Sequence, residues 1–324
     1  MCPIYEVVSS EDPTRGRYVL ALRDIKAGEI VVKDEPFVVV PSMKSLPVCI
    51  QCFKSYAMKE IPKCDSCGFP LCEEKEECDS LKLFDHKKEE CEVLSKIGAK
   101  PIFVNNTISP LYMAIGPLRL LLKSRKDPES YKKHIKSLMG HVDASRNIDT
   151  KSCMMNQVIV VGFMQKTLGL SDFSAQQIHE VIGIIKTNSV KLDSKKGHLV
   201  GMAIYPDYSL FNHSCVANTK TRKKADGTLE LFAISDIAKG EEIFTRYVTP
   251  QLGTFRRQQL LQANWHFACS CQRCSDPTEF ETHLNSMKCK NCPGYMISNN
   301  PLDLNSSWSC LECQSVEKVK QYLV

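Results

Sequence analysis

Ten of the 17 cysteines form pairs with two residues between them: Cys49/Cys52, Cys64/Cys67, Cys271/Cys274, Cys289/Cys292 and Cys310/Cys313. Two thiolates at that spacing on a tight turn can reach one tetrahedral ion, which then needs two further ligands. An odd cysteine count, and an N-terminus without a basic stretch followed by an apolar one, argue against a secreted disulfide protein. The chemistry expected of these residues is zinc binding in a reducing compartment.

The ligand arithmetic closes. Cys49, Cys52, Cys64, Cys67, Cys72, Cys78, His86 and Cys91 are eight ligands, enough for two ions. An interleaved pairing puts Cys49/Cys52/Cys72/Cys78 in one site and Cys64/Cys67/His86/Cys91 in the other; a sequential pairing is compatible with the same spacing. Cys269, Cys271 and Cys274 are three ligands, and Cys215 is the candidate for the fourth. Cys289/Cys292 and Cys310/Cys313 form a ribbon-like set across a 17-residue loop. Sixteen ligands make four tetrahedral sites and leave only Cys2 and Cys153. Thiolate-rich closed sites offer no open position for a polarised water, so these zincs are expected to be structural.

Metal also changes the charge. The formal net charge of +5 counts cysteines as neutral thiols. A four-thiolate zinc carries −2 and a three-thiolate, one-histidine zinc −1, which brings the loaded chain to about −2. Direct nucleic-acid binding is therefore not expected. No run of 18 apolar residues is present, so no membrane-spanning helix is expected either.

The elements that must position these ligands alternate along the chain. Arg17 to Leu22 is a strand candidate, Lys26 to Glu29 a turn, and Glu29 to Val40 a second extended stretch interrupted at Pro36. Residues 49–91 contain seven of the cysteines and few large aliphatics, so metal rather than a side-chain core must hold them. Apolar residues at three-and-four spacing predict helices over Ile115–Lys126, Glu129–Met139, Thr150–Leu168 and Ser174–Lys186. Pro117 fits a first turn, Asp127-Pro128 a helix start, and the charges from Arg119 to Lys136 an exposed helix face. Thr219–Arg222 and Thr228–Ile234 read as strands around an Asp226-Gly227 hairpin loop. The basic run from Lys220 to Lys224 reads as a solvated hairpin tip, with a nuclear signal or a phosphate contact as the alternatives. Residues 251–264 read as a short amphipathic helix with Phe255, Leu260 and Leu261 inward. The strand blocks lie far apart in the chain. They belong either to two small sheets in separate domains or to one β domain with insertions.

A more specific stretch is Asn212-His213-Ser214-Cys215-Val216-Ala217-Asn218, which resembles the NHSCxPN signature of SET-domain lysine methyltransferases. Gly240-Glu241-Glu242, with Tyr247 downstream, resembles the GEExxxxY motif of that family. Phe267-Ala268-Cys269-Ser270-Cys271-Gln272-Arg273-Cys274 resembles its post-SET FxCxCxRC, and the cysteines of 49–91 resemble a MYND zinc finger. In this order, over nearly the whole chain, these motifs resemble the SET and MYND domain-containing family, with the terminal ribbon most like the arthropod members.

The resemblance implies an α+β protein built on one β-rich SET fold, split by insertions. Residues 1–48 would be the N-terminal part of SET, 49–91 the MYND finger, 92–187 a helical insert, 188–250 the SET core, 251–275 post-SET and 276–324 a four-cysteine ribbon-like tail. It implies S-adenosylmethionine as cofactor, held by the glycine turn Arg15-Gly16-Arg17, by Asn188, and by Asn212 and His213, with Phe267 closing the pocket. It implies Tyr247 as the catalytic tyrosine and about four structural zincs. The substrate would be a protein lysine, and MYND would take proline-rich peptides. The MYND stretch is acidic, with seven lysines against ten Asp and Glu. The expected setting is a monomer of nucleus and cytoplasm acting in transcriptional regulation; the alternative is a non-catalytic adaptor recruiting partners through MYND. Four departures stand out: Tyr18 replaces a glycine, Ala217 replaces a proline, and the Cys72–Cys78 and His86–Cys91 gaps are long. The chain ends at Val324, where many relatives continue into a helical domain that walls the peptide cleft; the resemblance implies either a short form or an incomplete chain, with substrate binding weakened.

Overall fold

The computed structural model describes residues 3–11, 16–42, 45–56, 60–72, 78, 85–104, 107–143, 150–192, 201–224 and 226–318. The chain divides into two compact units, each drawn from separate stretches: one from Met1–Val31, Phe211–Lys220 and Phe232–Val324, the other from Val32–Leu210 and Thr221–Leu231.

In the first unit β1 (Tyr5–Ser9) and β2 (Arg17–Ala21) form an antiparallel hairpin, Tyr5 opposite Ala21 and Ser9 opposite Arg17. The segment 237–243 runs against the same stretch of chain. Ile25 and Ile237 exchange backbone hydrogen bonds, Gly240 N donates to Ala21 O and Ile243 N donates to Val19 O. Beyond it, Thr245 N donates to Asn212 O and Ser214 N to Thr245 O, so residues 212–214 lie parallel to the chain leading into Tyr247. Asn218 locks this arrangement: its side-chain oxygen accepts Phe244 N at 2.8 Å and its amide donates to Glu242 O at 2.9 Å.

Three further strands, β3 (Ile30–Asp34), β7 (Thr219–Lys223) and β8 (Leu229–Ala233), form a sheet in the order β3-β8-β7. In the second unit β4 (Val38–Pro41), β5 (Ser189–Leu192) and β6 (Gly201–Ile204) form an antiparallel sheet with β6 central. Its core gathers Val38–Val40, Ala203 and Ile204 with Ile115, Leu118, Ile178, Val181 and Ile185 of the insert helices.

These helices are α1 (Tyr112–Lys126), α2 (Pro128–His134), α3 (Thr150–Met155) and α4 (Ala175–Asn188). Asp127 caps α2 by accepting Ser130 N, and Ser174 caps α4 in a reciprocal box with Gln177. Past α3 the chain widens into π-helix over Asn156–Val161 and Phe163–Thr167. The first widened stretch contains the β-branched run Val158–Val161, which crowds the preceding turn in α geometry. Gly183 is required for backbone approach: a Cβ there would lie 2.2 Å from Gly140 O.

Three expectations are corrected. Helix α1 starts at Tyr112 rather than Ile115, because turns to Ser109, Pro110 and Leu111 carbonyls nucleate it early, and Pro117 therefore sits inside it. Helix α2 ends at His134, five residues short of Met139. Arg119 does not lie on an exposed face: its side chain is fully buried. Its Nε and one terminal nitrogen grip both oxygens of Glu90 at 2.8 and 2.7 Å, and its remaining donors reach the carbonyls of Val39 at 2.5 Å and Ile50 at 2.6 Å. One guanidinium thus fastens α1, β4 and the cysteine-rich segment together. Burial pushes the Glu90 carboxyl up, and Arg119 with His86 more than reverses it, leaving it below the usual carboxylate range.

Arg119→Ala is expected to cost about 3–5 kcal/mol in denaturant unfolding, because Glu90 would be left buried without its cation. Asp34 behaves in the opposite sense. Burial raises its pKa from 3.8 to about 6, against the lowering effect of the Tyr208 N–H it accepts. The folded chain therefore keeps a proton that the unfolded chain releases, and stability from this group falls as pH rises through about 4 to 6. Asp34→Asn should be more stable than the parent at pH 7, with the gap closing by pH 4 in parallel melts.

Candidate active site and zinc clusters

Four groups of side chains bring their ligand atoms within 4.8 Å of one another: Cys49/Cys52/Cys72/Cys78, Cys64/Cys67/His86/Cys91, Cys215/Cys269/Cys271/Cys274 and Cys289/Cys292/Cys310/Cys313. The first two are the interleaved arrangement. The distances test the fit. Zinc–sulfur bonds of about 2.3 Å place tetrahedral thiolates about 3.8 Å apart. Sγ–Sγ separations are 3.8 Å for Cys49–Cys78, 3.6 Å for Cys52–Cys72, 3.5 Å for Cys64–Cys91 and Cys215–Cys274, and 3.7 Å for Cys289–Cys313. These are edges of metal tetrahedra and far too long for disulfides. The donor set fits four zinc ions, held closed and structural. Cys153 stands apart from the clusters, half-buried on α3, and Cys2 lies outside the described residues.

The longer MYND gaps have a local explanation at one end. Residues 86–89 form one helical turn and 91–94 another, with a break at Glu90, where φ is −134°. The break lets Cys91 join His86 across a four-residue gap. The sequence also reads as helical over Ser80–Cys91, of which residues 80–84 lie outside the described residues. His86 Nδ1 sits 3.0 Å from Glu90 Oε1 while its Nε2 faces Cys67 Sγ at 3.4 Å. A carboxylate behind a ligating histidine fixes its tautomer and orientation. Sequence reasoning missed Glu90; its spacing of four from His86 is the signal.

The third cluster is built into the first unit by helix α5 (Thr254–Trp265). Its buried face is Thr254, Arg257, Gln258 and Leu261, so of the expected inward residues only Leu261 is fully buried, with Phe255 and Leu260 partly so. Polar residues face inward because they have fixed work there. Gln258 clamps the backbone of Cys269 from both sides, donating to its carbonyl at 2.5 Å and accepting its N–H at 2.9 Å. Arg257 donates to Cys215 Sγ at 3.1 Å and to Cys274 Sγ at 3.5 Å, and to Glu279 at 2.6 Å. Arg273 also pairs with Glu279 at 2.7 Å. Glu279, Phe280 and Glu281 all have positive φ, a left-handed turn that L-residues resist. The fully engaged Glu279 carboxylate anchors that turn.

Beside this cluster the motif residues converge. Tyr247 N donates to His213 Nδ1 at 3.0 Å, and Tyr247 Oη donates to Phe211 O at 2.8 Å. The Tyr247 ring lies 5.4 Å from His213, 5.1 Å from Trp265 and 6.5 Å from Phe267, the last edge-on. Trp265 was not singled out from the sequence, although it stands four residues before Cys269 and is one of only two tryptophans. Asn212 donates to Arg17 O at 2.7 Å, which joins the NHSC stretch to the glycine turn. Gly16 has φ +69° with open space where a Cβ would point, a backbone that favours glycine and leaves room beside it. Arg15 lies outside the described residues. Asn188 belongs to the second unit, where its amide donates to Met139 O and Ile184 O at 2.8 and 2.9 Å. Tyr18 lies half-buried in β2 opposite Val8.

The SET domain profile matches residues 16–248. The chain belongs to the SET domain family, in its SET and MYND branch. It is 25% identical over 315 residues to SET domain-containing protein SmydA-8, isoform A, of Drosophila melanogaster, covering 95% of this chain and 64% of that protein. It is 25% identical over 321 residues to histone-lysine N-methyltransferase ASHR1 of Arabidopsis thaliana, covering 95% and 65%. It is 26% identical over 269 residues to N-lysine methyltransferase SMYD2-B of Danio rerio, covering 81% and 58%. The chain thus spans less than two thirds of the length of these relatives, 58% to 65%. Within the SET and MYND branch, the strand blocks are parts of one α+β SET fold with zinc sites. No helix among the described residues is long and apolar enough to cross a membrane.

Atomic emission on purified protein should find four zincs per chain, and one fewer in Cys313→Ser. Cys313 is the exposed ligand of the terminal ribbon. A chelator should therefore strip that site first, leaving the three more buried clusters loaded.

Proposed function

We propose that the chain is an S-adenosylmethionine-dependent protein-lysine N-methyltransferase. The observation that carries this reading is Tyr247: its hydroxyl is held by Phe211 O and its ring stands among His213, Trp265 and Phe267, beside the NHSC stretch. When bound, the cofactor supplies a methyl group activated by a sulfonium. Gly16, Asn212 and the backbone around His213 would hold it, since Asn212 already ties the glycine turn to the motif.

The remaining work falls to the protein. A lysine attacks only as the neutral amine, and an apolar aromatic surround lowers the ammonium pKa. The faces of Tyr247, Trp265 and Phe267 suit the cationic product. The Tyr247 hydroxyl orients the amine, and alignment supplies most of the rate. As in the relatives whose names record lysine methylation, the acceptor is a protein lysine. The MYND finger is read as a dock for proline-rich peptides, and the protein as a monomer of nucleus and cytoplasm acting in transcriptional regulation. The family resemblance and an acidic finger, which disfavours nucleic acid, are what support this part of the reading.

A second reading, a non-catalytic zinc adaptor, is favoured by one observation. Asn188, the asparagine assigned to the cofactor by resemblance, spends both amide hydrogens on carbonyls of its own unit.

Calorimetric titration of the zinc-loaded protein with S-adenosylmethionine separates the two. One-to-one binding weakened by Asn212→Ala supports the enzyme; no binding in a folded, fully loaded sample supports the adaptor. With labelled cofactor and a protein extract, Tyr247→Phe should abolish methyl transfer while leaving cofactor affinity intact.

A further inference from the structure

The His213 imidazole is 7% exposed and is engaged on both edges. Its Nδ1 accepts the backbone N–H of Tyr247 at 3.0 Å. A nitrogen that accepts carries no hydrogen, so the ring proton of the neutral imidazole is on Nε2. That Nε2 lies 3.3 Å from Cys215 Sγ, within N–H···S range. Cys215 is a ligand of the third cluster. A metal-bound cysteine is a thiolate, and a thiolate accepts a far stronger hydrogen bond than a thiol. One aromatic ring therefore connects a metal-site sulfur to the backbone of Tyr247.

The frame around the ring is equally fixed. On either side of His213, Asn212 O accepts Thr245 N at 2.9 Å and Ser214 N donates to Thr245 O at 3.0 Å. The main chain of 212–214 is thereby aligned with the stretch that ends in Tyr247. Across the sulfur, Arg257 Nε donates to the same Cys215 at 3.1 Å, so the sulfur is held by two N–H donors from different elements. The imidazole keeps neither nitrogen for a ligand.

We propose that His213 is a positioning residue that couples occupancy of the Cys215/Cys269/Cys271/Cys274 metal site to the placement of Tyr247. With metal bound, the Cys215 thiolate holds Nε2–H, the tautomer is set, and the Nδ1 lone pair fixes the Tyr247 backbone. Without metal, Cys215 Sγ is no longer fixed at the corner of a tetrahedron, and the constraint it places on the ring 3.3 Å away is released. This assigns the ring a task other than holding the adenosyl group. The importance of Tyr247 rests on the methyltransferase reading above; the coupling itself does not.

The test uses the full zinc-loaded chain. Long-range proton–nitrogen correlation on ring-labelled histidine should find His213 protonated at Nε2 alone; an Nδ1-protonated or averaging ring overturns the proposal. A fluorotyrosine placed at position 247 gives a local readout. Exchanging cadmium for zinc lengthens the metal–sulfur bonds, and it should displace the fluorine signal in the parent but not in His213→Phe. Equal displacement in both overturns the proposal. If His213→Phe does not fold, the tautomer measurement on the parent still decides. In turnover, His213→Phe should lose about 10- to 100-fold in kcat, the usual cost of removing a partner behind a metal ligand, with cofactor affinity unchanged. Lost cofactor affinity at unchanged kcat would return His213 to a ligand contact. A chain that transfers no methyl at all would defeat the proposed function, while the tautomer and fluorine results would still judge the coupling.

Discussion

Two fully buried arginines hold the metal-stapled parts of this protein to the rest of its fold. Arg119 reaches the His86 cluster through Glu90, and Arg257 donates directly to two sulfurs of the Cys215 cluster while gripping Glu279. A zinc ringed by thiolates carries net negative charge, and placing it against a core is costly unless donors face the sulfurs. Each guanidinium meets that cost and uses its other donors to capture carbonyls of neighbouring segments. Metal, charge pair and backbone are one connected structure at each of these sites.

The same logic explains why the functional residues are supported by so little hydrophobic core. The apolar cluster around Tyr247 is small: Cys215, Val248, Leu261, Cys269 and Cys274, with Trp265 and Phe267 partly buried beside them. Rigidity comes instead from polar clamps with two attachment points: Gln258 on Cys269, Asn218 on the 242–244 backbone, and His213 between sulfur and Tyr247. A clamp of this kind fixes distance and orientation together, which packing alone does less sharply. Precise alignment is what methyl transfer to an amine would require.

Much of this was legible from residue type and spacing, and the failures have physical causes. The four ligand sets could be counted, because tetrahedral thiolate sites impose short, recognisable gaps. Helix α4 announced itself through apolar residues at three-and-four spacing over Ser174–Lys186, and the loop between β7 and β8 through Asp226-Gly227. Hairpin strand β1 was missed, since its alternation is weak and its pairing is only apparent with β2. Arg119 and the inward face of α5 were misjudged for one reason: a charged residue on a helix is usually solvated, and only a buried partner far along the chain reverses that. Glu90 and Glu279 are those partners, 29 residues before Arg119 and 22 residues after Arg257. Trp265 needed the folded chain to bring it beside Tyr247.

The pairing of Ile25 with Ile237, across more than two hundred residues, has a consequence for the birth of the protein. The N-terminal hairpin emerges first, yet the backbone that completes its neighbourhood, residues 237–243, is made more than two hundred residues later. At ribosomal speeds of about 5–20 residues per second, the hairpin waits roughly 10–40 s for it. During that interval the cysteine-rich segment and the insert helices are already available to metal and to each other. The chain is thus expected to mature from its middle outward, with the surroundings of Tyr247 assembled only after the insert helices.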